Sequence, residues 1–420
     1  MSAQRKIEET RLSNGVRVIT ESVPELSSVS VGIWVDVGSR DELIHYQGCS
    51  HFLEHLLFKG TEKRTAQEIS TVIEARGGYL NAFTDKDMTC FHAKVLAQDI
   101  ELAVDVLSDM IQRPLLKQED IEKELHVVFS EIDARDDDPG DLIHDLYFET
   151  AWGRNTAAHP ILGSKKTLQN MDKRSIRNYY LNNYTPDRMI ITSVGAISHE
   201  KAVDLFESYL KLDRARSNKI RSKPKYKPRK KYVKRASNQV QVAMIAEGLP
   251  HGDESRDALT IINSYLGVGA SSELFQEVRE KQGLAYSIFT TNYSLQDSGL
   301  FTILAGTQDK YVEKLLGIEF RELDKIRKEL SEKVLEKMKH KSTGLFVIRS
   351  ENPESRMMNI GVSALRQGYA KTMQEVIDDI NQVDIDTVQS IADKMFEGGQ
   401  LGLTTLGLSR ETEKKIRALF

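Results

Sequence analysis

The feature that most constrains the fold is an internal recurrence: one order of elements appears on both sides of a basic, proline-containing segment. In the first half an alternating strand, Ser28 to Gly38, precedes an apolar helix from about Gly48 to Phe58. In the second half the strand Gln239 to Ala246 precedes a helix from about Asp257 to Leu266. Each half continues with a helix that runs into a glycine suited to a C-cap, at Gly77 and at Gly283, and then an extended segment. Each later has a Pro-initiated helix, at Asp137-Asp-Pro-Gly-Asp and at Glu351-Asn-Pro-Glu-Ser. Each closes with a helix (Lys173 to Asn183; Asp386 to Phe396) and a strand (Met189 to Gly195; Gly402 to Gly407). The pattern predicts a duplicated α+β domain. Alternation of apolar and polar residues in the strands predicts mainly antiparallel sheets with helices packed on one face.

The expected organisation is an N-terminal domain over residues 1–215, a basic linker over 216–235, and a homologous C-terminal domain over 236–420. A length of 420 residues agrees with two cores of roughly 200 residues each. The stretch Lys211 to Arg235 is rich in lysine and arginine, with Pro224 and Pro228. It reads as a solvated linker; the competing reading is an arm for nucleic acid or membrane. A net charge of -4 offers no general attraction to nucleic acid or anionic membranes, and no apolar run is long enough to span a bilayer. The first ten residues lack the apolar core of a secretory signal, so cytoplasmic residence is the default expectation. With two cysteines, Cys49 and Cys90, a disulfide scaffold is excluded. Cys49 lies close to His51 but reads as a small buried residue rather than a ligand.

The chemistry concentrates in His51-Phe-Leu-Glu54-His55, which continues into Leu56, Leu57 and Phe58. Histidines four apart on a helix project from the same side, so both imidazoles can reach one zinc. Glu54 lies on the neighbouring flank, where it can act on the nucleophilic water as a general base without being a ligand. Two histidines and a glutamate in an apolar helix would be costly to bury without a partner. A catalytic zinc takes three protein ligands, and the candidate third lies in a second predicted helix, Glu122 to Ile132. Glu124 and Glu131 are seven apart there and share a face. Val127, Val128 and Ile132 predict that this helix is largely buried, while Glu122 reads as a surface residue.

The run Gly48 to Thr61 resembles the inverted zinc motif H-x-x-E-H of the pitrilysin/insulinase family. Gly77 to Thr84, the Glu131 region and Leu274 to Tyr286 resemble the same family, so the likeness extends almost end to end. The resemblance implies a fold like that of mitochondrial processing peptidase, one Zn2+ per chain, and hydrolysis of peptide bonds by a metal-activated water. It implies that His51, His55 and Glu131 are the ligands and that Glu124 orients a ligand histidine. It further implies that Asn81 and Ala82 bind substrate as an added edge strand. Arg279 and Tyr286 match a pair that reaches substrate and the developing oxyanion from the second domain. Taken alone, Arg279 reads as a surface arginine and Tyr286 as a core strand residue. Glu273 and Gln282 depart from the family's common residues without touching the metal chemistry.

In the similar β subunit of mitochondrial processing peptidase, acids at the positions of Asp141 and Asp145 read a basic substrate residue. The same pair also reads as ordinary helix N-terminal acids. Long members of the family enclose substrate between two two-domain halves, so the resemblance implies two chains of this kind paired around a closed chamber. Because this one holds both the zinc motif and Arg279 and Tyr286, a homodimer is favoured over an active/inactive heterodimer. The expected activity is a zinc endopeptidase acting on peptides or unfolded, presequence-like segments. The alternatives are a non-catalytic structural homologue and a peptide-binding protein that keeps its metal.

Overall fold

The computed structural model describes residues 6–212 and 220–419. It divides into two compact units, each drawn from separated segments. Unit one comprises Met1–Asp133, His159–Ser222 and Ile348–Gln374; unit two comprises Ala134–Ala158, Lys223–Val347 and Glu375–Phe420.

Unit one is built on β1 (Ile7–Arg11), β2 (Arg17–Ser22), β3 (Ser28–Val35), β4 (Tyr79–Thr84), β5 (Thr89–Leu96) and β6 (Met189–Gly195), in the order β1-β2-β6-β3-β5-β4. Unit two uses β7 (Lys230–Val233), β8 (Val240–Gly248), β9 (Ala285–Ser294), β10 (Gly299–Thr307) and β11 (Gly402–Leu406), in the order β7-β11-β8-β10-β9. Within each sheet one neighbouring pair is parallel, β2 with β6 and β7 with β11, and the other pairs are antiparallel. The predicted duplication is therefore carried down to strand direction, with β1 as an addition to unit one.

One face of the first sheet carries the helical layer. Val29, Val31, Ile33 and Val35 of β3 pack with α1 (Cys49–Leu57), α2 (Ala66–Glu74), α3 (Ile100–Gln112) and the first part of α4 (Gln118–Asp137). The opposite face is covered as well. There Trp34, Ile19, Cys90 and Ile190 meet Met357, Ile360 and Ala364 of the helix Pro353–Arg366. Unit two repeats the arrangement: α5 (Pro139–Trp152) lays Ile143, Tyr147 and Phe148 against Ala243, Ile245, Leu300 and Leu304. The two Pro-initiated helices thus pack across the sequence division, each in the unit built mainly from the other half. Their local signals were legible, since Asp138 and Asn352 cap them by accepting backbone N–H bonds. Their packing partners depend on tertiary complementarity, which a contiguous division at residues 1–215 and 236–420 leaves out.

The basic segment also differs from a plain solvated linker. Its last part is β7, an edge strand whose lysines suit an unpaired border. Arg221 is buried against Asp36 and Asp41 in unit one. The expected boundary at 215/216 lies outside the described residues, as do the first five of the ten residues on which the leader reading rests. No helix among the described residues is long and apolar enough to cross a membrane.

The paired helix ends illustrate how the duplication diverged. After α2, Gly77 at φ +75° donates to Glu74 O and Gly78 to Ile73 O, a Schellman closure. In unit two the corresponding turn is a π-helix, Phe275–Glu280. There Gly283 donates to Arg279 O and Leu284 to Val278 O, the same closure widened by one residue.

Candidate metal centre

Helix α1 begins at Gly48, whose φ of +91° an L side chain rarely adopts. Glu42 caps this start, accepting the N–H of Gly48 at 2.8 Å and of Ser50 at 2.6 Å. Phe52, Leu53, Leu56 and Leu57 anchor the helix in the core, so its orientation is fixed before any ligand binds. His51 and His55 then project together, with ring centroids 4.6 Å apart. Cys49 is buried in the core cluster, in line with an apolar role.

The facing helix is α4. Ile121, Glu124, Val128 and Ile132 form its buried face. Val127 is 44% exposed, contrary to the expected burial, because it sits one position off that stripe. Glu131 Oε2 is 3.7 Å from His51 Nε2, and Glu131 Oε1 is 3.6 Å from His55 Nε2. One donor atom from each of the three residues lies within 4.8 Å of the others. A tetrahedral zinc with bonds of about 2.0–2.1 Å sets its donors roughly 3.4 Å apart, close to this spacing.

A separate observation tests the fit. Glu131 Oε2 is buried with no hydrogen-bond partner, a state that costs free energy unless a cation or donor meets it. Burial and the neighbouring His55 push His51 down to about 4, so its imidazole is neutral with a lone pair to offer. The donor set fits a zinc ion.

Around these residues stand three supports. His55 Nδ1–H points to Glu124 Oε2 at 3.2 Å, which leaves Nε2 free on the side of Glu131. Lys59 Nζ lies 2.7 Å from Glu124 Oε1. Thr84, the last residue of β4, donates its hydroxyl to Glu54. Burial raises the Glu54 carboxyl, while the Thr84 hydroxyl and His55 counter that rise. Sequence reasoning gave Lys59 and Thr84 no role, although Lys59 follows His55 by one helical turn and Thr84 ends the Gly77–Thr84 run.

Asn81 and Ala82 lie in β4, the border strand of its sheet, where the Asn81 Oδ1 accepts the Ala82 N–H at 2.8 Å. In unit two, Arg279 stacks over the Tyr286 ring at 5.4 Å from its centroid. Tyr286 is 77% exposed, which removes the core reading of that residue. Asp141 is exposed at the first turn of α5, and Asp145 is ion-paired to Arg135.

The fold and the cluster together define a metallopeptidase-type unit, and the second unit repeats its sheet topology without a comparable donor cluster among the described residues. Residues 17–165 match the insulinase (peptidase family M16) profile, and residues 170–342 match the peptidase M16 inactive domain. The chain belongs to peptidase family M16. It is 36% identical to the zinc protease YmxG of Bacillus subtilis, over 91% of this chain and 94% of that one. It is 35% identical to the zinc protease SCO5738 of Streptomyces coelicolor, over 96% and 89%. A protease structure from Helicobacter pylori has the same fold, with a TM-score of 0.88 at 23% identity, covering 96% of this chain and all of that one. Among the described residues the His51, His55 and Glu131 cluster, in unit one, is the one group of this kind.

Proposed function

We propose that this chain is a zinc-dependent endopeptidase acting on peptides or unfolded segments, with one zinc per chain held by His51, His55 and Glu131. The convergence of those three donors beside a buried Glu54 is the observation that carries the reading. A zinc held there would supply Lewis-acid polarisation of the nucleophile and the peptide carbonyl. The remaining work belongs to the side chains. Glu54 accepts the proton of the attacking water and returns it to the departing amine. Glu124 fixes the ring of His55. The border strand β4 offers Asn81 and Ala82 for main-chain pairing with an extended substrate. Arg279 and Tyr286, stacked on each other in unit two, are the hydrogen-bond donors that the family resemblance assigns to substrate.

A preference for Arg or Lys near the scissile bond would rest on Asp141, since Asp145 already has an internal partner in Arg135. A homodimer is the assembly we expect, checked by sedimentation. The central test compares wild type with Glu54→Gln for zinc content and for cleavage of a mixed peptide pool. Both proteins should hold zinc and only the wild type should cleave. Zinc without cleavage in the wild type would favour a peptide-binding role, and full cleavage by the variant would remove Glu54 as the base.

A further inference from the structure

The carboxylate of Glu124 is gripped from two sides by one helix and its continuation. Oε2 meets His55 Nδ1 at 3.2 Å and Oε1 meets Lys59 Nζ at 2.7 Å. The grip is local in sequence, because Lys59 continues the last turn of α1, its N–H donating to Leu56 O at 3.1 Å. Glu124 itself is 5% exposed, on the apolar face of α4 between Ile121 and Val128. At that depth each carboxylate oxygen needs a partner, and Lys59 provides the one that His55 does not. This is not an exposed ion pair of negligible worth, since one partner is buried and the lysine side chain is two-thirds covered.

We propose that Lys59 is a positioning residue of the metal centre, acting through Glu124 to hold His55 in the orientation and tautomer that ligate zinc. The inference rests on the metal reading above and adds a residue to it. Without the ammonium group, Glu124 Oε1 is left buried and unpartnered, and the carboxylate turns to find another donor. His55 Nδ1 then loses a fixed acceptor. Its proton is free to occupy Nε2, the nitrogen that faces Glu131, where a protonated atom cannot bind a cation. Lys59 is therefore expected to act on metal retention beyond the stability it lends by pairing a buried carboxylate oxygen, and zinc affinity separates the two effects.

The experiment measures zinc affinity of the metal-free full-length protein by competition with a chromogenic chelator, using zinc alone as probe. Four variants are compared: Lys59→Met, Lys59→Arg, Glu124→Gln and the Lys59→Met/Glu124→Gln pair. Losing a residue that supports a ligand typically weakens metal binding about 10–100-fold, and Lys59→Met should fall near the lower end. Lys59→Arg should recover most of the affinity. In the Glu124→Gln background, Lys59→Met should add nothing further, because its route of action is already gone. Metal-free Lys59→Met should unfold at a lower temperature than metal-free wild type, because it leaves a buried carboxylate oxygen unpaired, and its upward shift on adding zinc should also be smaller than that of wild type. Equal zinc affinity of wild type and Lys59→Met overturns the proposal. So does an equal loss from Lys59→Met in both backgrounds, which would place Lys59 outside the Glu124 route. If the wild type bound no zinc at all, the metal reading would fail, and this proposal with it, a result distinct from either.

Discussion

Thr84 donates its hydroxyl to Glu54, tying the end of the border strand β4 to the proposed general base on α1. The bond favours the ionised carboxylate, against the desolvation that raises it. Removing it in Thr84→Val leaves burial with less opposition, so the Glu54 carboxyl rises further. A base works deprotonated, hence the acidic limb of kcat/KM should move to higher pH. A hydrogen bond to a charged group is worth about 1.5–3 kcal/mol, which corresponds to roughly one to two pH units. A pH–rate profile with an unmoved limb would show that Thr84 does not act on the base.

The opposite end of β4 is held from the other face of the sheet. Tyr79 OH donates to Glu354, whose second oxygen lies 3.3 Å from His92 Nδ1 on β5. Even positions of β4 thus face α1 and odd positions face the helix Pro353–Arg366. If an extended peptide adds to this strand, Tyr79→Phe should loosen the template while leaving the metal side intact. We expect KM to rise about fivefold, equivalent to roughly 1 kcal/mol, with kcat within about twofold. Steady-state kinetics that reversed this split, with kcat falling and KM constant, would argue against β4 as the binding strand.

Gly361 on the same helix allows its backbone to rest on Trp34. A Cβ there would fall 2.1 Å from Trp34 Cε2, and the indole is fully buried with its Nε1–H donated to Thr192 at 2.7 Å. Alanine would add about 1 kcal/mol of helix propensity. Overpacking of a closed core costs about 1–3 kcal/mol or more, and the overlap here is severe. Sterics should win. Gly361→Ala is expected to lower the urea midpoint by an amount equivalent to about 2 kcal/mol, and an unchanged midpoint would mean the helix can withdraw freely.

How much of this could be read from sequence follows the range of the interaction. His51, Glu54 and His55 share one helix, and Glu124 and Glu131 share another, so spacing alone oriented each set. Helix caps at Asp138 and Asn352 were equally local. The destination of those two helices was not legible, because it depends on which sheet face lacks cover. Ser30 and Gly32 of β3 read as the polar half of an alternating strand, yet that face is buried under Met357 and its neighbours. Lys59 and Thr84 are ordinary residue types whose roles exist through a partner brought from elsewhere in the chain. For Tyr286 it is the competing core reading that fails, since the side chain is exposed.

Glu319 supplies a prediction independent of the metal. It lies in the helix Val312–Lys328, is 0% exposed, and neither carboxylate oxygen has a hydrogen-bond partner. Burial pushes it up to about 8. The folded chain therefore keeps this proton up to about pH 8, whereas the unfolded chain releases it near the ordinary glutamate value of 4.5. Between those values the native state binds more protons, so stability is fully present below about pH 4.5 and falls as pH rises toward 8. The slope from one group is at most about 1.4 kcal/mol per pH unit. Glu319→Gln removes the titration, and its stability relative to wild type should rise steadily across this window and level off above it. Glu42, also buried and pushed up to about 8, remains in both proteins, so the difference between the two curves isolates Glu319. Urea unfolding at several pH values would measure it. Parallel curves would show that Glu319 meets a compensating charge in the folded chain and carries no such cost.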